Sequence, residues 1–322
     1  MSFTKTTTLP VSPDEAFALI TQPERLRRWQ TVSAYVDLRA GGSYRWNVTP
    51  GHYASGTFRE VEPGKRVVFG WGWDGSSELP ADSSTVTITI DAVEGGSQVT
   101  LVHEGLNEQQ AAMHAEGWDH FFERLEKLVA TGDAGQDEWA WAPENLDPII
   151  ATEATLSVLQ PVLRALTAED RPKPTPCADF TCHELAVHLM ESIAQLGAMA
   201  GVSISIPVDT SLEDKVSTMA MEMIDAWRPI DLDGQLDNGM PASFGASIMP
   251  IELLLHAWDL AQASGQDVRV SDEVVAYVAS LASTVVPGGR ERGSFGPEVS
   301  AAADASPLDR LAAFAGRTPI EG

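Results

Sequence analysis

The sequence predicts an α+β protein with two folded parts: a curved antiparallel sheet with a long helix on it, then an all-α bundle of the four-helix type. Three observations carry this prediction. Apolar and polar residues alternate along much of the first half, which is the period of half-buried strands. The spacing of apolar residues becomes helical from Trp118 to Val129. After that point helix start signals recur, and no comparable series of strands follows.

The predicted boundary between the two parts is a polar, glycine-containing stretch without hydrophobic periodicity. We therefore predict a domain in 1–132, a linker in 133–144 and a second domain in 145–322. The stretch from Trp139 to Trp141 is more apolar than a free tether, so we expect it to dock against one of the domains.

Composition and charge exclude several classes of protein. The 322 residues are 43% hydrophobic and 21% charged, which is ordinary for a folded globular chain. The formal net charge of −25 repels nucleic-acid phosphates and anionic lipid surfaces, so we expect neither as a partner. Most of the acidity lies in the second part, because residues 1–132 hold 11 basic and 17 acidic residues whereas 133–322 hold 10 and 29.

The sequence also bears on localisation. It has no run of about 18 apolar residues, and its start lacks the apolar core of a signal peptide, so we expect a cytoplasmic protein. Cys177 and Cys182 are too few for a disulfide framework, which fits a reducing compartment. Their spacing is wider than that of a redox motif, so a reactive pair and two structural thiols both remain open. A homodimer is equally open.

The elements of the first domain follow from local patterns. Ser12 before Pro13 is typical of a helix N-terminus. The apolar stripe from Trp118 to Val129 predicts a long helix that lies on the sheet. His103, His114 and His120 have no nucleophile motif nearby, so we interpret them as surface or core residues. The alternation predicts strands 67–73, 85–90 and 99–101, and residues 2–9 are predicted as a further strand.

Helix signals divide the second domain. Thr181 and Glu184 have the form of a capping box, and Pro161 is expected to kink the helix that contains it. The segment from Asp231 to Gly234 resembles a calcium loop but lacks the later ligands, and a turn is the simpler reading. The predicted helices are 149–166, 182 to 195 or beyond, one opened by Ser211, 250–264, 272–286 and 307–316.

The most informative motif is Glu252-Leu253-Leu254-Leu255-His256. A carboxylate and an imidazole at positions i and i+4 lie on one helix face, and Asp259 extends that face. Because the three leucines make the surroundings apolar, these polar groups need partners. A divalent metal ion satisfies that need, and so does a simple hydrogen bond, so the motif alone leaves both open.

His188 is the candidate third ligand. It lies in an apolar stretch of another predicted helix, where a lone histidine is usually a hydrogen-bonded core residue. Facing helices of a bundle, however, are where metal sites are built.

The second domain resembles the DinB-type bundle of the mycothiol-dependent maleylpyruvate isomerase N-terminal family, over about 145–322. The resemblance implies that His188, Glu252 and His256 hold zinc or a similar divalent ion, with mycothiol as co-substrate. For Asp259 two roles stay open, a carboxylate that orients His256 and an aspartate on the helix surface. The residues that carry it are Thr175-Pro176-Cys177-Ala178-Asp179-Phe180-Thr181, Glu184-Leu185, His188-Leu189, Glu252 through Ala261, Asp309-Arg310-Leu311 and Gly316-Arg317-Thr318-Pro319.

The same resemblance limits the expected activity. The isomerase has a further C-terminal domain that supplies a catalytic arginine, and this chain ends at Gly322. We therefore expect thiol transfer to an electrophilic small molecule more than maleylpyruvate isomerisation. Arg310 and Arg317 are candidate anion-binding substitutes.

The first domain resembles the ATPase-activator-homologue branch of the START-like (SRPBCC) helix-grip superfamily, over about 1–131. That superfamily commonly holds a hydrophobic molecule between sheet and helix, whereas aromatic stripes more often fill a core. The residues that carry the resemblance are Val11 through Phe17, Leu26-Arg27-Arg28-Trp29, Gly41 through Arg45, Gly56 through Pro63 and Gly117-Trp118. The candidate cavity residues are Trp46, Phe58, Phe69, Trp71, Trp73 and Trp118.

The sequence leaves three functions open. The first is metal-dependent activation of mycothiol or a similar thiol, which would make the protein a metalloenzyme. The second is non-catalytic binding of a hydrophobic small molecule. The third is a co-chaperone-like role, which we rank last because bacterial-style members of that branch usually lack a demonstrated chaperone partner.

Overall fold

The computed structural model describes residues 1–135, 137–177 and 180–320. The chain divides into two compact units, residues 1–137 (unit 1) and 138–322 (unit 2). Gln136 of the predicted linker, Ala178 and Asp179 of the first DinB-like motif, and Gly322 lie outside the described residues. Among the described residues, no helix is both long and apolar enough to cross a membrane.

Unit 1 contains a seven-stranded sheet in which neighbouring strands are antiparallel, so the predicted antiparallel α+β architecture is confirmed. The strand order is β1-β7-β6-β5-β4-β3-β2. The strands are β1 (Ser2–Leu9), β2 (Ser33–Val36), β3 (Ser43–Thr49), β4 (His52–Glu62), β5 (Arg66–Trp71), β6 (Ser84–Val93) and β7 (Gly96–Glu104).

The helices of unit 1 are α1 (Pro13–Thr21), α2 (Pro23–Leu26) and α3 (Glu108–Thr131). The hydroxyl of Ser12 accepts from the backbone N–H of Glu15 at 3.2 Å, as the N-cap prediction requires. The predicted long helix is α3, which begins with a capping box at Asn107. Its face from Trp118 to Leu128 belongs to the apolar core that it shares with the sheet.

Strand β5 is shorter than the strand predicted over 67–73. β5 ends at Trp71, where its pairing with β6 stops, and the backbone N–H of Trp73 donates to the carbonyl of Leu79. Trp73 keeps an isolated bridge to Ala54 of β4. The predicted half-burial is also wrong, because every residue from Val67 to Trp71 is buried. His103 and His114 are core residues, and His120 lies half-buried beside Asp137.

Among its described residues, unit 2 contains helices and two isolated bridges. The predicted capping box is confirmed, since Thr181 and Glu184 satisfy each other's backbone N–H groups at the start of α6. α8 packs against α5, α6 and α9. The helices are α4 (Glu138–Trp141), α5 (Pro148–Ala165), α6 (Cys182–Met199), α7 (Leu212–Trp227), α8 (Ala242–Ser264), α9 (Asp272–Glu291) and α10 (Pro307–Phe314).

Two predicted helix boundaries are wrong, and both involve proline. α8 starts at Ala242 rather than at Pro250, and α9 continues past Pro287 to Glu291. An internal proline removes one backbone hydrogen bond, but α8 is buried along nearly its whole length, and that burial offsets the loss.

Two short segments predicted to lie outside the main helices have defined local structure. The Trp139 to Trp141 stretch forms α4, which packs on α5, and Ser157 donates to the carbonyl of Ala140 at 3.2 Å. The predicted turn is present at Asp231, whose carbonyl accepts from the backbone N–H of Gly234 at 3.0 Å.

Candidate metal centre

Two helices of unit 2 bring three potential ligands together. His188 lies on α6, and Glu252 and His256 lie one turn apart on α8. One ligand atom from each residue lies within 4.8 Å of the others. The helical spacing of Glu252 and His256 is local, whereas the approach of His188 depends on the packing of α6 against α8.

The atoms that face one another have unmet coordination capacity. Oε2 of Glu252 lies 3.3 Å from Nε2 of His256, but the pair lacks hydrogen-bond alignment. Within the described residues, neither atom has a hydrogen-bond partner, although both are buried. The two groups form a close ion pair but no aligned hydrogen bond, and a divalent cation between them would satisfy both atoms at once. The donor set therefore fits a metal ion such as zinc.

The electrostatics of the cluster favour positive charge between the ligands. Burial alone would lower the pKa of His256, but the carboxylates of Asp259 and Glu252 raise it to about 9. Burial alone would raise the pKa of Glu252, and the neighbouring imidazole of His256 brings it down to about 2. Burial and the nearby His256 lower the pKa of His188, which keeps its ring neutral and able to bind a metal.

Asp259 lies behind His256 and not on the helix surface. Its Oδ2 accepts a hydrogen bond from Nδ1 of His256 at 3.0 Å, and the aspartate is completely buried. Arg317 meets the same carboxylate with its Nε at 3.1 Å from each oxygen. Arg310 instead donates to the carbonyls of Ala303 and Ala305. Of the two candidate arginines, the structure places Arg317 beside the cluster.

Sequence reasoning missed a contact in the segment before α6. The ring of Phe180 lies nearly parallel to the imidazole of His188, with centroids 5.0 Å apart and an interplanar angle of 17°. The imidazoles of His188 and His256 are close to perpendicular, 5.3 Å apart. A single aromatic residue before a helix cap carries no sequence signal for such stacking, because the contact depends on how the segment folds back.

The two cysteines lie in different environments. Cys182 is buried at the start of α6, and burial raises the pKa of its thiol, which favours a structural role. Cys177 is half-buried, and its Sγ belongs with His256 and Asp259 to a second group of ligand atoms within 4.8 Å of one another.

The candidate cavity residues of unit 1 form one aromatic cluster. Trp46 and Trp71 lie 6.0 Å apart by ring centroid, and Trp71 lies 5.1 Å from Trp118. Trp73 is half-buried at the edge of this cluster, whereas Phe58 and Phe69 are fully buried. The indole N–H of Trp46 is buried and has no hydrogen-bond partner among the described residues.

The antiparallel sheet packed on α3 makes unit 1 a helix-grip domain. The sequence model of the activator of Hsp90 ATPase homolog 1-like (AHSA1-like) protein family matches residues 10–130. The chain therefore carries an AHSA1-like domain at its N-terminus.

Individual proteins resemble parts of the chain. An AHSA1-like protein from Rhizobium etli is 36% identical, with 46% of this chain and 91% of that chain covered and a TM-score of 0.37. The Aha1 dimer from Colwellia psychrerythraea is 16% identical, with 41% and 98% covered and a TM-score of 0.37. An uncharacterized protein of Mycobacterium tuberculosis is 28% identical over 180 residues, which are 54% of this chain and 99% of that protein. Because unit 1 makes up less than half of the chain, this last match includes residues of unit 2.

Proposed function

We propose that unit 2 is a DinB-like metal-binding bundle that activates a small thiol, such as mycothiol, for attack on an electrophilic small molecule. One observation carries the proposal. Oε2 of Glu252 and Nε2 of His256 are buried 3.3 Å apart, lack hydrogen-bond partners among the described residues, and belong with His188 to one group of ligand atoms.

The number and type of ligands favour a catalytic rather than a structural role. Three nitrogen and oxygen ligands leave the fourth position of a tetrahedral zinc ion open for a substrate atom. A bound divalent ion would supply a thiolate at neutral pH by lowering the pKa of the coordinated thiol. His188, Glu252 and His256 would hold the ion, and the stacked ring of Phe180 would fix the plane of His188.

The transfer step balances without an oxidant. The thiolate sulfur forms a bond to the electrophilic carbon while the bond from that carbon to its leaving group breaks. The thiol proton goes to solvent, and the leaving group departs with the electron pair of the broken bond. In this proposal the AHSA1-like domain helps to capture the electrophile.

Metal content of the full-length protein tests the proposal. We expect about one zinc-like ion per chain in the wild type by mass spectrometry, and a large loss in His188→Ala, Glu252→Ala and His256→Ala. His183 is an exposed residue of α6, so His183→Ala is the matched control and should retain the metal. A wild-type protein that holds almost no zinc after zinc is added would overturn the metal centre.

A second assay separates metal binding from thiol chemistry. Zinc-loaded protein is mixed with mycothiol and monochlorobimane, whose fluorescence rises when sulfur displaces chloride. We expect the protein to accelerate the rise in fluorescence, and we expect this acceleration to require both zinc and the three ligand residues. Zinc binding without this acceleration would leave the metal centre intact and reject thiol transfer.

The unpartnered indole of Trp46 favours a second candidate function, which is binding of an apolar molecule with one hydrogen-bond acceptor in unit 1. Native mass spectrometry of the purified protein tests it directly. We expect a retained ligand in the wild type and less of it in Trp46→Phe, which keeps the ring but removes the N–H donor. Equal retention in both proteins, or none in either, would reject a role for this indole.

A further inference from the structure

Arg317 is a buried cation that connects the C-terminal segment to α8. Arg317 comes after α10 in the chain, and only 6% of its surface is exposed. The Nε donates to both carboxylate oxygens of Asp259 at 3.1 Å, and Nη1 donates to the carbonyl of Ala315 at 3.2 Å. A buried guanidinium needs such compensation, so its position is specified by these acceptors.

The carboxylate that Arg317 holds, that of Asp259, also accepts a hydrogen bond from His256. Oδ2 of Asp259 lies 3.0 Å from Nδ1 of His256 and can only accept, so Nδ1 carries the proton of that hydrogen bond. With Nδ1 held by Asp259, Nε2 is the ring nitrogen left to bind a metal ion, and it lies 3.3 Å from Glu252. Arg317 thus acts on the ligand atom through one intervening residue.

The group formed by Cys177, His256 and Asp259 has the spacing of a second metal site, but a cation is already there. Nη2 of Arg317 lies 3.9 Å from Sγ of Cys177, and its Nε lies on Asp259. A guanidinium on this carboxylate repels a second metal ion, so the structure explains this group without one.

The backbone before Arg317 is held in a fixed conformation. Gly316 has φ +84, and a Cβ there would lie 2.7 Å from the carbonyl oxygen of Gly296. The backbone N–H of Arg317 donates to the carbonyl of Ala312 at 3.0 Å. The guanidinium carbon lies 5.7 Å from the ring centroid of Phe295.

We propose that Arg317 is a positioning residue of the metal centre: its guanidinium fixes Asp259, which holds the Nδ1 proton of His256 and directs Nε2 towards His188 and Glu252. This inference rests on the proposed metal site. It adds that zinc affinity depends on a residue that does not touch the ion.

Zinc affinity, measured with zinc alone by competition with a chromophoric chelator, is the first test. Arg317→Met should weaken zinc binding by about 10- to 100-fold, the range found for residues that orient metal ligands. Arg317→Lys keeps the charge and should recover part of this loss. Arg310 is an exposed arginine of α10, and Arg310→Met should bind zinc like the wild type.

A spectroscopic measurement distinguishes positioning from general stability. In zinc-loaded wild type labelled with 15N-histidine, long-range proton–nitrogen NMR should show His256 protonated on Nδ1 with Nε2 bound to zinc. His256→Gln identifies the signals. In Arg317→Met the Nδ1 proton should exchange faster with water, because its acceptor is no longer held. An unchanged Nδ1 signal with unchanged affinity overturns the inference.

Arg317→Met leaves Asp259 with less compensation and could fail to fold, so the double variant provides the deciding comparison. Asp259→Asn with Arg317→Met removes both charges together. If Arg317 acts through Asp259, adding Arg317→Met to Asp259→Asn should weaken zinc binding less than twofold. A further loss of about tenfold would show that Arg317 does not act through Asp259. Wild type that binds no zinc refutes the proposed function itself, whereas wild type and Arg317→Met with equal affinity refute only the role of Arg317.

Discussion

The indole N–H of Trp118 on α3 donates a hydrogen bond of 3.1 Å to Nδ1 of His103 on β7. Since the indole can only donate, Nδ1 carries no proton, and Nε2 donates to the hydroxyl of Ser84 at 2.9 Å. That hydroxyl donates onward to the carbonyl of Trp71 at 3.0 Å. Only a neutral imidazole satisfies both contacts. The hydrogen bond between α3 and β7 therefore requires that His103 be neutral.

Unit 1 should lose stability in acid because of this histidine. Burial and the nearby His114 lower the pKa of His103 from 6.5 to about 3. Between these values the unfolded chain binds a proton that the folded chain does not, so stability is complete above the unfolded pKa and falls as pH falls through this window. We expect a loss of about 1.4 kcal/mol per pH unit within it.

Hydrogen exchange of peptides from β7 and α3 measures this loss within unit 1. His103→Gln can still accept from Trp118 and donate to Ser84 but does not titrate, so its exchange should depend less on pH. His120→Gln replaces a half-buried histidine and is the control. Equal pH slopes for His103→Gln and the wild type would contradict the assignment.

Gly316→Ala should destabilise the C-terminal segment more than Gly293→Ala. Both glycines have positive φ, +84 and +79, but a Cβ at Gly316 meets the backbone of Gly296 whereas one at Gly293 meets nothing within 4 Å. The shared conformational cost is about 1 kcal/mol, and the clash adds about 1–3 kcal/mol at Gly316. Thermal unfolding of the metal-free proteins measures the difference. Equal melting temperatures would mean that the contact with Gly296 does not constrain this segment.

Phe180→Leu should weaken zinc binding through His188. The stacked rings, 5.0 Å apart, restrict the imidazole plane, and an aromatic pair of this kind contributes about 0.5–1.5 kcal/mol. If that energy holds the ligand in its binding orientation, affinity for zinc should fall by about 2- to 10-fold. Phe314→Leu removes a ring that lies against Arg290 and serves as the control. An affinity loss of the same size in both variants would argue against a specific role for Phe180.

Thr181→Ala should destabilise α6, because it removes the hydroxyl that accepts from the backbone N–H of Glu184 at 3.3 Å. Loss of such an N-cap costs about 1 kcal/mol. Thr181→Ser restores the hydroxyl and should restore most of the stability. Urea unfolding followed by circular dichroism measures both variants. No difference between the alanine and serine variants would show that this cap does not stabilise the helix.

Local patterns predicted much of the secondary structure. Alternation located β6, and cap signals located the starts of α1, α6 and α9. The same rules failed at Pro250, since a local signal for a helix start does not register how deeply α8 is buried by its neighbours. The end of β5 has a different cause: its pairing with β6 stops at Trp71, and the N–H of Trp73 donates to the carbonyl of Leu79.

By itself, the sequence determined that Glu252, His256 and Asp259 share one face of a helix, because the helical repeat is a local property. It also determined the acidic charge and the types of ligand atom available. The tertiary structure decided which distant groups meet that face: His188 and Phe180 come from α6 and the segment before it, and Arg317 comes from beyond α10. These long-range contacts depend on how the helices pack and on close backbone contacts such as that of Gly316 with Gly296, and no local periodicity encodes them.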